Sequence, residues 1–298
     1  MPLSIEDAIQ RIPEWNGRLV EIEPLGGGLT NSNFLVRVDG RPHFVRIPGE
    51  STELLAIDRR NEIHNSRAAA ETGVAPQLLH VVPEAQAMVF EFIEGETMSP
   101  ARLQAPGSPR RIAESMRRLH AGRRFLLDFD MFRLVETYLR IADDNGIPIY
   151  DGYRDHLPTV ARVEQAIRRH ALPTVPCHND LLGENMIDDG RQLWLIDFEY
   201  SGNNDPCFEL GNTCQELQYD EAQYSELCRA YFGEATPSLL ARMRLFALMS
   251  DVGWTLWGAI QSRISRLEID FWDYGRTRWK RALAILEGPD LERWLREA

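Results

Sequence analysis

The sequence predicts an α+β fold in two unequal parts, a small antiparallel sheet followed by a larger, mainly helical remainder. Three observations carry that expectation. Runs of strand period crowd the first 92 residues, and beyond about residue 96 apolar residues recur at helical spacing. Between them in character, CHNDLLGENMIDDGRQLWLIDFE (177–199) interrupts the helical part with two short β runs that meet at Asp189-Gly190 as a hairpin. A chain of 298 residues is long for one core, so we expect a first lobe over 1–93, a hinge at about 90–96 and a second lobe over 97–298.

The elements follow in order. Ser4 is placed to cap a short helix running through Arg11 and packing on the first lobe. A strand starts at Leu19. The stretch LGGGLTNSNFLVRV (25–38) then makes a hairpin whose glycine tip, Gly26, Gly27 and Gly28 with Thr30 and Asn31 behind it, lets backbone N–H groups approach a phosphate chain. Taken alone, a glycine triplet is equally a flexible turn. A third strand, 42–47, carries Arg46, and 53–72 reads as one helix stopping at Gly73 with Glu62 near its middle. Strands at 77–82 and 87–92 flank a Pro83-Glu84 turn, after which helices are expected at 108–121, 131–144 and 159–171, with a Gly- and Pro-containing connection at 145–158.

Composition narrows the function. With 44% hydrophobic and 26% charged residues, the chain has the mix of a soluble globular protein. Its net charge of −12 argues against a nucleic-acid surface and suits a cationic ligand, though acidity also serves solubility alone. The four cysteines, Cys177, Cys207, Cys214 and Cys228, show no C-x-x-C or zinc spacing and fit reduced thiols. The N-terminus MPLSIEDAIQRIPEW has no apolar signal core, and no run approaches the ~20 apolar residues of a membrane span. A cytoplasmic setting is the expectation.

The central stretch carries the chemistry. His178-Asn179-Asp180 follows Pro176 on a loop, Asn185 lies five residues beyond Asp180, and Asp197 closes the apolar run 193–196. Phosphoryl transfer asks a protein for a group to take the acceptor hydroxyl's proton and for ligands to Mg²⁺ on the phosphates. Asp180 suits the first task, Asn185 and Asp197 the second. The pattern H-x-D-x-x-x-x-N, followed by a strand ending in I-D-F, resembles the kinase catalytic loop with its metal-binding Asp. In that frame Arg46 stands where a kinase lobe keeps its phosphate-pairing Lys, and Glu62 is its candidate partner. An Arg keeps the charge and changes the geometry. Either residue could equally be an ordinary solvated charge. Backbone groups of Glu91, Phe92 and Ile93 are expected to face an adenine ring.

The following residues narrow the family. CHNDLLGEN together with IDFEYSGNNDPCFELGNTCQEL (196–217) resembles the choline/ethanolamine kinase family, which shares its two-lobe protein-kinase-like fold with the aminoglycoside phosphotransferases. H-N-D, the E-Y after I-D-F and F-x-x-G-N are the choline-kinase form, whereas many aminoglycoside phosphotransferases carry H-G-D. The resemblance runs from about residue 24 to about 285 and implies ATP and Mg²⁺ as cofactors.

A second clue lies near the C-terminus, where Trp254 and Trp257 stand three apart and Tyr274 follows. Aromatics at helical spacing are commonly core residues, but ring faces also attract a quaternary ammonium, by ~0.5–2 kcal/mol per good contact. The resemblance implies an aromatic box in which Tyr200 and Glu216 join these three. The implied acceptor is choline, with ethanolamine, thiamine or an aminoglycoside as alternatives, and an inactive choline- or nucleotide-binding module as the alternative outside catalysis. Trp272, Trp279 and His120 are expected to be packing or hydrogen-bonded residues. Glu209 stands where the family usually has Asp, which points to an altered internal hydrogen bond.

Overall fold

The computed structural model describes residues 4–298 except 27, 29, 50 and 51. Helix α1 (Ile5–Gln10) leads into β1 (Val20–Leu25), β2 (Asn31–Val38) and β3 (Arg41–Pro48). Helix α2 (Arg59–Glu71), β4 (Leu78–Val82) and β5 (Ala87–Glu91) complete an antiparallel sheet of order β1-β2-β3-β5-β4. Ser4 Oγ accepts from the Asp7 N–H at 3.1 Å and so caps α1. The helix then buries Ile5, Ala8 and Ile9, with Trp15 beyond it, in one cluster with Val36, Val45 and Val89 of the sheet. Ile5 and Ile9 each stabilise by about 1.5–3 kcal/mol when fully buried, enough to hold a helix of six residues that would not form alone.

The helix expected over 53–72 is shorter than that. A 3₁₀ turn covers Thr52–Leu55, and α2 starts at Arg59. Two local causes explain the break. Ala56 has φ +58°, outside the helical region, and Asp58 is the true cap, accepting from the N–H groups of Arg60 (2.9 Å) and Asn61 (3.1 Å).

The remainder begins with β6 (Glu96–Thr97), α3 (Pro100–Leu103), α4 (Ser108–His120), α5 (Met131–Asp144) and α6 (Leu157–Arg169). Then come β7 (Val175–Cys177), β8 (Met186–Asp188), β9 (Leu193–Leu195) and β10 (Gly202–Asn204), followed by α7 (Pro206–Glu216), α8 (Glu221–Phe232), α9 (Pro237–Ile264), α10 (Phe271–Leu286) and α11 (Leu291–Glu297). Buried along most of its length, α9 is the spine on which α5, α7, α10 and α11 pack. The expected hairpin forms: Met186 lies opposite Leu195 in β8–β9, and β6 joins at the other edge. β7 pairs with β10, Cys177 facing Gly202. Among the described residues, no helix is long and apolar enough to cross a membrane.

Candidate active site

The loop after β7 is held from both sides. His178 donates Nε2–H to the Ile196 carbonyl at 2.7 Å and accepts the Asp180 N–H on Nδ1 at 3.3 Å. That pattern fixes one neutral tautomer, and burial lowers the His178 pKa further. Asn179, at φ +67°, donates to the Tyr200 (3.1 Å) and Gly202 (3.3 Å) carbonyls and accepts from Asn204 at 2.9 Å. Both residues therefore brace the loop that carries Asp180.

Asn185 and Asp197 are neighbours because the Ile196 N–H donates to the Asn185 carbonyl at 3.0 Å across the open end of the β8–β9 hairpin. The Asn185 amide N–H donates to the Asp180 carbonyl at 2.8 Å, which leaves its Oδ1 as a hard ligand. Asp197 is itself left-handed at φ +70°. A non-glycine residue in that region is held there by its surroundings.

Arg46 meets Glu62, as the sequence expects, but it also ion-pairs with Asp197. Arg59 donates to Glu62 (2.6 Å) and to Glu199 (3.1 Å). The hydroxyl of Thr30 reaches Glu199 at 3.0 Å, and the Asn31 amide bonds the same carboxylate. Oxygens of Glu62, Asp197 and Glu199 lie within 4.8 Å of one another. Three carboxylates against two guanidinium groups leave one negative charge over. The three carboxylates are an all-oxygen donor set of the kind Mg²⁺ takes.

Beside this cluster a cleft of about 420 Å³ is lined from the sheet by Phe44, Arg46 and Phe90 and from the helical part by Asn185, Ile187 and Asp197. Gly26, Gly28, Glu91, Phe92 and Ile93 also line it, so most of the residues expected to meet a nucleotide share one cavity. Gly27 lies outside the described residues. Thr30 and Asn31 face Glu199 instead, and Glu62 holds Arg46 and Arg59 from behind.

The five aromatic-box candidates are brought together in the helical part. The Trp257 N–H donates to the Tyr200 hydroxyl at 2.7 Å; the Tyr200 and Trp254 rings meet edge-on at 4.8 Å between centroids, and Tyr274 lies 5.4 Å from Trp257. Glu216 is engaged by Arg278 (2.8 Å) and Arg281 (2.7 Å), and Arg278 lies 3.5 Å over the Tyr274 ring. The Asp180 pKa is pushed up to about 8, first by burial, then by the charges of Asp197 and Glu216, against which Arg278 acts. Both the carboxylate cluster and the box are therefore within electrostatic reach of Asp180.

Sequence reasoning gave no role to Glu199 or Arg59. The signal for Glu199 is its place in the I-D-F-E-Y run, two residues after Asp197, and Arg59 is one charge among several on α2. Glu209 takes up the predicted internal bonds, accepting the His178 backbone N–H at 2.8 Å and pairing with His120, whose other nitrogen bonds Tyr231 at 2.6 Å. Trp272 stacks on Tyr150 (4.2 Å) and Trp279 packs on Tyr153 (4.8 Å), as expected of packing residues.

An antiparallel-sheet lobe, a larger helical lobe and this cleft are the architecture of the protein-kinase-like phosphotransferases that act on an alcohol group. More narrowly, a family model described as choline/ethanolamine kinase matches residues 22–232, and the chain belongs to that family. Ethanolamine kinase 1 of Mus musculus is 28% identical to it, over 90% of this chain and 84% of the mouse protein. A solved choline/ethanolamine kinase family protein from Mesorhizobium loti is 38% identical, with a TM-score of 0.84 over 97% of this chain and 96% of that one. Choline kinase LicA from Streptococcus pneumoniae is 25% identical, with a TM-score of 0.80 over 93% and 96%. A LicA structure is also known in complex with AMP.

Proposed function

We propose that this chain transfers the γ-phosphoryl group of ATP, with Mg²⁺, to the hydroxyl of choline or a closely related amino alcohol. What supports the reading is that the Asp180 backbone carbonyl accepts from Asn185 and that its carboxyl feels the charges of both Asp197 and Glu216 of the aromatic box. The sheet lobe (1–93, hinge at about 90–96) offers Gly26, Gly28 and Arg46 to the phosphates and Glu91–Ile93 to the base, and residues 97–298 supply the acceptor side. The acceptor oxygen attacks Pγ: the new O–P bond forms as the bond from Pγ to the β-phosphate oxygen breaks, ADP leaves with that electron pair, and the hydroxyl proton passes to Asp180. Bound by Asn185, Asp197 and Glu199, Mg²⁺ would supply positive charge against the phosphate oxygens. Four buried free thiols suit a reducing cytoplasm.

The test is ADP release from Mg-ATP with choline, ethanolamine, thiamine and kanamycin at equal concentration, Asp180→Asn serving as the blank. We expect turnover on choline and a loss of about 10²–10⁴ in kcat in the variant, with nucleotide binding retained. Undiminished kcat in Asp180→Asn would remove that residue from the chemistry. Turnover confined to kanamycin would discard the aromatic-box reading, and nucleotide binding without turnover on any acceptor would favour a binding module.

A further inference from the structure

Two apolar cores divide the chain, and α2 sides with the helical part. Ala68 and Ala69 of α2, with Leu55 ahead of it and Val74 after it, lie in the same core as Met116 and Leu119 of α4 and Leu195 of β9. The sheet and α1 bury a core of their own around Trp15, Val36, Val45 and Val89. Polar contacts repeat the division. The Tyr138 hydroxyl of α5 donates to the Leu55 carbonyl at 2.9 Å, Arg118 of α4 donates to the Thr72 and Gly73 carbonyls at 3.2 and 3.1 Å, and the Leu195 N–H donates to the Val74 carbonyl at 2.7 Å.

Two buried amides on α2 tighten that attachment at the site itself. Asn61 donates to the Ser201 carbonyl at 2.8 Å, and Asn65 donates to the same carbonyl (3.1 Å), to the Ser201 hydroxyl (3.0 Å) and to Asn61 Oδ1 (3.1 Å). Their oxygens accept the backbone N–H groups of Leu127 (3.1 Å) and Leu126 (3.0 Å), in a loop that Asn203 of β10 bonds through Phe125 and Leu127. The Ser201 hydroxyl donates in turn to the Phe198 carbonyl at 2.6 Å. The amides therefore fasten the turn of helix that bears Arg59 and Glu62 to the segment that bears Asp197 and Glu199. From the sheet, Arg46 reaches Glu62 and Asp197, and Thr30 and Asn31 reach Glu199.

Resting on the kinase reading above, we infer that Asn61 and Asn65 are positioning residues for phosphoryl transfer. They fix Arg59 and Glu62 against Asp197 and Glu199, so that α2 stays with the helical part while the sheet, linked through Arg46 and the glycine-rich hairpin, is the part that adjusts to a nucleotide. An amide suits this task because it offers a donor and an acceptor to two chain segments at once and adds no charge to the carboxylate cluster. Tyr200, next to Ser201, keeps its own ties to Asn179 and Trp257, so the acceptor side is spared.

Amide hydrogen exchange of the full chain reads the division directly. In the free chain we expect the α2 amides to open with those of α4 rather than with β1–β3. Saturating Mg-ADP should slow exchange in β1–β3 by about tenfold or more and change α2 by less than about twofold. Exchange in α2 that follows β1–β3 in the free chain, or slows with it on Mg-ADP, overturns the inference. No turnover is needed for that comparison, so it stands apart from the kinase reading, which falls separately if no acceptor yields ADP. Kinetics then test the amide: Asn65→Ala should lower kcat/KM for Mg-ATP by about 10–100-fold and leave the acceptor KM within about twofold of the parent. An unchanged kcat/KM, or equal losses for both substrates, in a folded variant would reduce Asn65 to a structural residue and overturn its positioning role. If Asn65→Ala does not fold, the exchange pattern of the parent chain decides.

Discussion

Asp180 keeps its proton to about pH 8 because burial and the charges of Asp197 and Glu216 oppose its ionisation. A general base works only when ionised, so kcat/KM should climb with pH and level off above about 8 rather than near an ordinary carboxylate value. Glu216→Gln removes one of the opposing charges and should move that limb to lower pH; a limb that stays in place would mean another group governs it. The same shift has a stability consequence of definite sign. The folded pKa lies above the unfolded one, so the contribution is present below about pH 4 and is lost as pH rises through about 8. Asp180→Asn should therefore melt above the parent chain at about pH 9 and level with it at about pH 4, a trade of stability for chemistry that thermal melts can read.

At the scale of elements, α7 and α9 place the two halves of the site. From α7, Glu209 holds both the His178 backbone N–H and His120; burial acts first and raises its pKa, but the charge and hydrogen bond of His120 and the His178 N–H outweigh it, so the pKa lies below the usual value. That stabilisation is present at neutral pH and is lost only as pH falls through the depressed pKa. Glu209→Ala should cost about 3–5 kcal/mol, because it leaves His120 Nε2 and the buried His178 N–H without a partner. The matching kinetic sign is a fall in kcat larger than any rise in the KM for ATP. On the proposed reading the rings of Trp254 and Trp257 on α9 meet the acceptor, and Trp254→Ala should raise the acceptor KM by about tenfold while leaving the KM for ATP near its parent value. Equal effects on both substrates would make Trp254 a core residue only.

Across the whole molecule, the sheet lobe and the helical lobe are joined through charged and amide contacts around the site. Glu199 reaches Thr30 and Asn31 of the glycine-rich hairpin, Arg46 reaches Asp197, and Asn61 and Asn65 of α2 donate to the Ser201 carbonyl at 2.8 and 3.1 Å. A nucleotide with its metal in the cleft would bind both lobes at once and only in the folded chain. Mg-ADP at about 100 times its Kd should add about 2.7 kcal/mol and raise Tm by about 5 °C. EDTA should abolish turnover and most of that rise; a Tm shift untouched by EDTA would show that nucleotide binds here without a metal.

The parts of this protein that the sequence determined are those governed by local spacing. Period-2 runs made the five strands, period-3.6 runs made α4, α5 and α6, and the interval from Asp180 to Asn185 with the strand ending at Asp197 marked the loop and hairpin that the structure joins. Local rules failed only mildly at α2, where a left-handed Ala56 and the Asp58 cap override a continuous helical pattern. Tertiary structure alone decided which charges are spent on one another. Nothing in the order of residues says that Arg278 and Arg281 would close on Glu216, that Asp251 would be buried behind them, or that Arg59 and Glu199 would complete the cluster around Arg46. Pairing between charges brought together by helix packing depends on distances set by the whole fold, because electrostatic and hydrogen-bond energies are decided over a few ångströms.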